Sequence, residues 1–260
     1  MRPPMGVLFD AAFGDTLDDL LSLCLLYGLD NRNECRVASL STSRDSLASA
    51  GLMDLMQKLY GGRPAPIGMT MGNNVRAGES ALLKAALAGQ SIAVKNMLDT
   101  AEPHNLMRNA LTAQYDGTAA LICTGPTDNV VALLKLPGAR PVVAAKVKAL
   151  YLVGEDPRPV PDWPTPMVMV TAAMARELTY VPKTGDFAWN ERHPVAQALA
   201  VAGDAKLNRA GMLAVLHAVR GKDFPLPLVA GQAAVVDKLL AELVVAKPIP
   251  RQRLRPFAAD

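Results

Sequence analysis

One stretch near the N-terminus decides the fold: Gly6-Val-Leu-Phe-Asp10-Ala-Ala-Phe-Gly14-Asp-Thr-Leu-Asp18-Asp19-Leu-Leu-Ser-Leu. Its apolar run ends at Asp10, a loop with a glycine follows, and a helical pattern then opens with Asp18 and Asp19. This order predicts a strand, a turn and the N-terminus of a helix. Because Asp15 lies in the loop, four carboxylates fall within ten residues.

The four carboxylates repel one another if the turn folds back on itself, so the ionised cluster needs a positive counter-charge. The helix N-terminus supplies part of it for Asp18 and Asp19. A calcium ion, which binds carboxylate and carbonyl oxygens, would supply the rest. In the alternative, Asp18 caps the helix, Asp19 lies in its first turn, and Asp10 and Asp15 face water. The segment by itself leaves both interpretations open.

Later segments continue the alternation of strand and helix. Residues 35–40, 65–69 and 118–123 have the patterns of strands, and 178–181 has the pattern of a further one. Right-handed crossovers place the carboxyl ends of such strands on one rim. We therefore expect an α/β fold, an open, mostly parallel twisted sheet with helices on both faces. We expect it to form a single domain over residues 1–260, with a basic, proline-rich tail at 247–260.

A second informative junction is Thr124-Gly125-Pro126, directly after the clearest strand. The fixed φ of Pro126 suits the first turn of a helix, and Gly125 permits a tight passage from strand to helix. Thr124 would end the strand with its carbonyl towards the crevice where open α/β sheets hold ligands. A helix start of this kind is also common for purely structural reasons, and both interpretations remain.

Composition narrows the class of protein. The formal net charge is only +3 over 260 residues, and no basic run or basic amphipathic helix is present. Nucleic acid and membranes are therefore not expected as partners. The three cysteines are too few and too scattered for a disulfide framework, and no apolar signal core opens the sequence. These features predict a soluble, cytoplasmic protein.

The two junctions together resemble the signatures of the inosine/uridine-preferring nucleoside hydrolases. The match consists of Asp10, Gly14 and the Asp18-Asp19 pair in the first motif, and of Thr124-Gly125-Pro126 in the second. The resemblance implies an N-ribosyl hydrolase of purine or pyrimidine salvage that cleaves the N-glycosidic bond of a nucleoside or related riboside with the help of Ca²⁺. A homo-oligomer is expected.

The resemblance also assigns roles to single residues. The implied metal ligands are Asp10, Asp19 and the carbonyl of Thr124. The implied substrate-binding residues are Asp18, Asn129 and His193. The candidate catalytic residues are Asp10 and Asp15.

Two substitutions at the implied metal site depart from the family pattern. Ala12 stands where the family has a carboxylate that binds the metal and accepts a proton, and a methyl group can do neither. His193 stands where the family has the last metal aspartate, and imidazole is a poor ligand for Ca²⁺. The sequence therefore predicts a calcium site that is weak or absent, with Asp15 as the one nearby carboxylate that could substitute. A histidine before a helical proline can also be a partly exposed polar cap.

Three functions follow as alternatives. The first is an N-ribosyl hydrolase with a degraded calcium site. The second is a catalytically silent relative that binds nucleosides or acts through oligomer contacts. The third is a haloacid dehalogenase-type phosphatase, which also starts from an aspartate at a strand end but needs an Asp-x-Asp sequence that Ala12 interrupts.

Overall fold

The strands form one parallel sheet. The structure is a computed structural model that describes residues 5–14, 16–60, 64–72, 79–202 and 207–249. The strands are β1 (Met5–Ala11), β2 (Cys35–Thr42), β3 (Ile67–Met69), β4 (Ala119–Cys123), β5 (Val147–Gly154) and β6 (Met167–Thr171). Their order is β3-β2-β1-β4-β5-β6, and every neighbouring pair is parallel. The predicted open, parallel α/β sheet is confirmed.

The strand order reverses between β1 and β4. From β1 the chain builds outward through β2 and β3, and it then returns to the other side of β1 with β4 and continues to β5 and β6. A crevice opens at the carboxyl ends of the strands where the winding direction changes, and open α/β sheets bind ligands there. Asp10 pairs with Cys123 across this seam, so the two sequence junctions begin side by side.

Helices cover both faces of the sheet. They are α1 (Leu17–Asn31), α2 (Leu47–Tyr60), α3 (Ala81–Leu87), α4 (Pro103–Thr112), α5 (Asp128–Lys135), α6 (Ala139–Lys146), α7 (Pro194–Ala202), α8 (Ala210–Arg220) and α9 (Gln232–Leu243). Successive strand residues point to opposite faces. Phe9 joins an apolar cluster with residues of α1 and α8, whereas Leu8 joins a second cluster with residues of α4, α5 and α6. The strands are therefore covered on both sides, which explains their continuous apolar runs.

The strand predicted at 178–181 is wrong. Leu178 and Tyr180 are buried, which produces the alternating pattern, but the segment has no strand partner in the described part of the chain. The backbone N–H groups of Thr179 and Tyr180 instead donate hydrogen bonds to the carboxylate of Asp237 on α9, at 2.8 to 3.0 Å. A side chain has taken the place of a neighbouring strand.

Four further predictions concern membrane association, the basic tail, the domain organisation and the oligomer. Over the residues described, no helix is both long and apolar enough to cross a bilayer. Most of the basic tail, residues 250–260, lies outside the described residues. The single-domain organisation and the homo-oligomer stay predictions.

Candidate active site

A cavity of about 730 Å³ opens at the carboxyl edge of the sheet, over the seam between β1 and β4. Segments that follow successive strands form its wall, at Ala12, at Ser43 and Arg44, at Thr70 to Gly72, and at Thr124 to Pro126. The first turns of α1 and α8 complete it. The topology therefore brings the two sequence junctions to one cavity.

Direct hydrogen bonds join these two junctions. The hydroxyl of Thr124 donates to the carboxylate of Asp19 at 2.6 Å, and the N–H of Thr124 donates to the carbonyl of Asp10 at 2.9 Å. Gly125 makes this approach sterically feasible, because a Cβ there would lie 2.9 Å from the backbone nitrogen of Ala12. Any larger residue would push the ends of β1 and β4 apart.

Asp10 lies beneath the cavity and is not part of its wall. Its Oδ1 accepts hydrogen bonds from the hydroxyl of Ser41 at 2.6 Å and from the side-chain amide of Asn129 at 2.9 Å. Burial raises the pKa of Asp10 to about 6, although both of these hydrogen bonds favour the carboxylate. Asn129, predicted to bind substrate, is itself buried below the wall, where it connects Asp10 to the hydroxyl of Thr70.

Asp18 and Asp19 both line the cavity, in the first turn of α1. Asp18 accepts a hydrogen bond from the backbone N–H of Arg209 at 2.8 Å, which ties α1 to the segment before α8. Burial raises the pKa of Asp18, and the hydrogen bond from Arg209 partly opposes this effect. The pair presents carboxylate oxygens, which accept hydrogen bonds from the hydroxyl groups of a ligand.

His193 does not line the cavity. It is fully buried among aromatic rings, with ring centroids 4.5 Å from Phe187 and 4.8 Å from Trp189. Its Nδ1 accepts a hydrogen bond from the N–H of Val195 at 3.2 Å, and Nε2 lies 3.4 Å from the hydroxyl of Tyr60. Burial lowers the pKa of His193 to about 4, so the imidazole is neutral at pH 7. Asp15, the candidate catalytic residue in the turn between β1 and α1, lies outside the described residues.

In the described part of the chain, the residues implied as calcium ligands make hydrogen bonds with protein groups. Calcium takes about six to eight oxygen ligands. Asp10 already accepts hydrogen bonds from Ser41 and Asn129, Asp19 accepts one from Thr124, and Ala12 offers a methyl group. Within the described ranges, no three histidine, cysteine, aspartate or glutamate side chains come together as a metal site would require.

The structure adds residues that sequence analysis missed. Ser43 and Arg44 follow β2 and line the cavity, and Asn208 lines it from the segment before α8. Ser43 and Arg44 follow the end of a parallel strand, a position that could have marked them as site residues. The sequence pattern instead assigned them to the segment that leads into α2. Asn208 had no comparable signal, because only the packing of α8 against α1 brings it to the site.

Comparisons with known proteins bear on the fold. No protein-family model and no curated protein matches the sequence. Among solved structures, the plant nucleoside hydrolase PpNRh1 is 12% identical with a TM-score of 0.66, and the match covers 94% of this chain and 100% of that one. The type III effector XopQ, solved with adenosine diphosphate ribose, is 13% identical with a TM-score of 0.67, covering 96% and 94%.

A third solved structure, the purine-preferring ribonucleoside hydrolase from Gardnerella vaginalis, is 14% identical with a TM-score of 0.55. That match covers 84% of this chain and 80% of the other. At such low identity the likeness concerns the fold, and the three structures agree on which fold it is. This chain has the nucleoside hydrolase fold.

Proposed function

We propose that this protein binds a nucleoside or a related riboside in the cavity at the carboxyl edge of the sheet. The observation that carries the proposal is that two carboxylates, those of Asp18 and Asp19, both line the cavity wall from the first turn of α1. Neighbouring hydroxyl groups of a ribose can each donate a hydrogen bond to such a pair, and hydrogen bonds to a charged acceptor are strong.

The size of the cavity and the fold support the same ligand class. A volume of about 730 Å³ lies inside the range of roughly 300–1,000 Å³ that small-molecule sites occupy. Proteins of similar fold include nucleoside hydrolases and an effector solved with adenosine diphosphate ribose. A nucleoside and a larger riboside are therefore both reasonable probes.

Binding is proposed to need no calcium. Hydrogen bonds from Ser41 and Asn129 hold Asp10 beneath the wall, and the hydrogen bond from Thr124 engages one oxygen of Asp19. They also connect β1, β2, β4 and α5, so this edge of the sheet is held together by protein groups alone.

Hydrolysis of the N-glycosidic bond is a second candidate function, favoured by the position of Asp18. A carboxylate whose pKa is raised by burial is a better proton acceptor than a solvated one, and Asp18 faces the cavity. In this reaction a water oxygen bonds to the anomeric carbon, the base leaves with the electron pair of the C–N bond, and Asp18 accepts the proton of the water. The phosphatase alternative is not proposed, because its aspartate nucleophile would be Asp10, which lies under the wall.

The proposal is tested by calorimetric titration with inosine, uridine, adenosine and adenosine diphosphate ribose. We expect at least one riboside to bind, and we expect Asp18→Asn to weaken it at least about tenfold, because a charged acceptor is lost. Asp162→Asn is the matched control, since this side chain is 82% exposed and lies outside the cavity. If no riboside binds, or if both variants bind as the wild type does, the proposal is wrong.

Release of reducing sugar from inosine and uridine, with and without chelator, tests hydrolysis separately. If Asp18 is the base, Asp18→Asn lowers the rate by about 10²- to 10⁴-fold. Binding without sugar release would leave riboside binding as the function and remove hydrolysis.

A further inference from the structure

Ser43 has a buried hydroxyl at the cavity wall. It follows the last residue of β2, the residue is only 3% exposed, and it forms part of the wall. Its Oγ has no hydrogen-bond partner among the described residues. Its place is fixed by close neighbours, because the Ser43 N–H donates to the carbonyl of Ala11 and a Cβ at Gly125 would lie 3.1 Å from Oγ.

A buried hydroxyl without a partner is unfavourable, and most buried polar groups in folded proteins are satisfied. Alanine at this position would avoid the cost and would preserve the fold. Ser43 lines the cavity, and the cavity is the place where a partner for its hydroxyl can arrive.

We propose that Ser43 is a ligand-contacting residue whose hydroxyl donates a hydrogen bond to an acceptor atom of the bound riboside. This inference rests on the proposed function and adds a specificity contact to it. The acceptor follows from Arg44, the next residue, which is 4% exposed and lines the same part of the wall. A guanidinium group offers donors only, so the ligand atoms that face this pair of residues are acceptors.

The ligand is thereby oriented in the cavity. Asp18 and Asp19 accept hydrogen bonds from hydroxyl groups, whereas Ser43 and Arg44 donate to a carbonyl oxygen, an ether oxygen or a ring nitrogen. A riboside carries both kinds of group, with a diol on the sugar and acceptors on the ring oxygen and the base. A ligand that carries donors alone fits only one of the two parts of the wall.

The chain offers a matched control in Ser39. This serine lies on β2, the strand that Ser43 directly follows, is 1% exposed, and also has an Oγ without a partner among the described residues. It does not line the cavity. Ser39→Ala and Ser43→Ala therefore delete the same atom from two buried serines, and only the second deletion removes it from a residue of the cavity wall.

The experiment measures urea unfolding without ligand and calorimetric binding of inosine, uridine, adenosine and adenosine diphosphate ribose, for the wild type and both variants. We expect neither variant to lower the unfolding midpoint, because neither deletion breaks a hydrogen bond of the protein. We expect Ser43→Ala to raise the Kd of the tightest riboside by about 3- to 10-fold. Ser39→Ala should leave this Kd unchanged.

Three outcomes would overturn the inference. A lower unfolding midpoint for Ser43→Ala alone would mean that the hydroxyl serves the folded protein. Equal binding by Ser43→Ala and the wild type would mean that the hydroxyl is not a ligand contact, while riboside binding would stand. Absence of any riboside binding by the wild type would remove the proposed function together with this inference.

Discussion

His193 shows how tertiary packing decides the role of a single residue. The imidazole is neutral and fully buried, with Phe187, Trp189 and Tyr60 around it. Its pKa is lowered to about 4, whereas an unfolded chain has an ordinary value of 6.5. The stability that this neutral ring contributes is fully present above pH 6.5 and is lost as the pH falls from there through 4.

We predict that His193→Phe flattens the acid limb of the stability curve. The phenyl ring fills a similar volume and carries no proton, so the wild type should lose about 3 kcal/mol more than the variant between pH 7 and pH 4. Urea unfolding at several pH values measures this. The comparison uses the slope, because the variant also lacks the hydrogen bond that the neutral imidazole accepts from Val195, and this lowers its stability at pH 7 without making it depend on pH. Parallel curves would contradict the prediction.

At the scale of elements, the seam between β1 and β4 depends on one glycine. A Cβ at Gly125 would meet the backbone nitrogen of Ala12 at 2.9 Å, and backbone cannot move aside as the end of a flexible side chain can. Gly154, at the end of β5 on the same cavity rim, has no atom within 4 Å of an added Cβ.

We predict that Gly125→Ala lowers the free energy of unfolding by about 1–3 kcal/mol, because overpacking forces the two strand ends apart. Gly154→Ala should change it by less than about 0.5 kcal/mol. Denaturant unfolding of the two variants checks this pair. Equal effects would show that the seam tolerates a methyl group.

The sequence predicted those elements and residues that general topological rules govern. Asp18, Asp19 and Thr124 were expected at one rim because the carboxyl ends of parallel strands share an edge, and the structure brings them together. The segment 178–181 was predicted wrongly because alternation reports burial and not the partner of the backbone. Ser43 could not have been singled out, because a missing hydrogen bond is a property of three-dimensional surroundings.

At the scale of the whole molecule, ligand and metal should act differently on thermal stability. A riboside at about 100 times its Kd adds about 2.7 kcal/mol to the free energy of unfolding, which raises the melting temperature by about 5–10 °C for a chain of this size. We predict that Ca²⁺ or a chelator changes neither this shift nor the melting temperature of the free protein. Differential scanning fluorimetry measures the melting temperature of the free and the riboside-bound protein, each with Ca²⁺ and with chelator. A calcium-dependent rise would contradict the proposed metal independence.

Helix α1 has a consequence for the behaviour of the site. From Leu17 to Asp30 every residue of this helix is buried except Asp18. The helix therefore runs through the protein interior and reaches the cavity only with its first turn. A buried helix resists fraying, and we expect its backbone amides to be protected from hydrogen exchange up to the first turn. Asp18 and Asp19 are then already in place before a ligand binds, and little conformational entropy is lost in ordering them. We expect selectivity between ligands to depend on the loops of the cavity wall, where the sequence can change without disturbing α1.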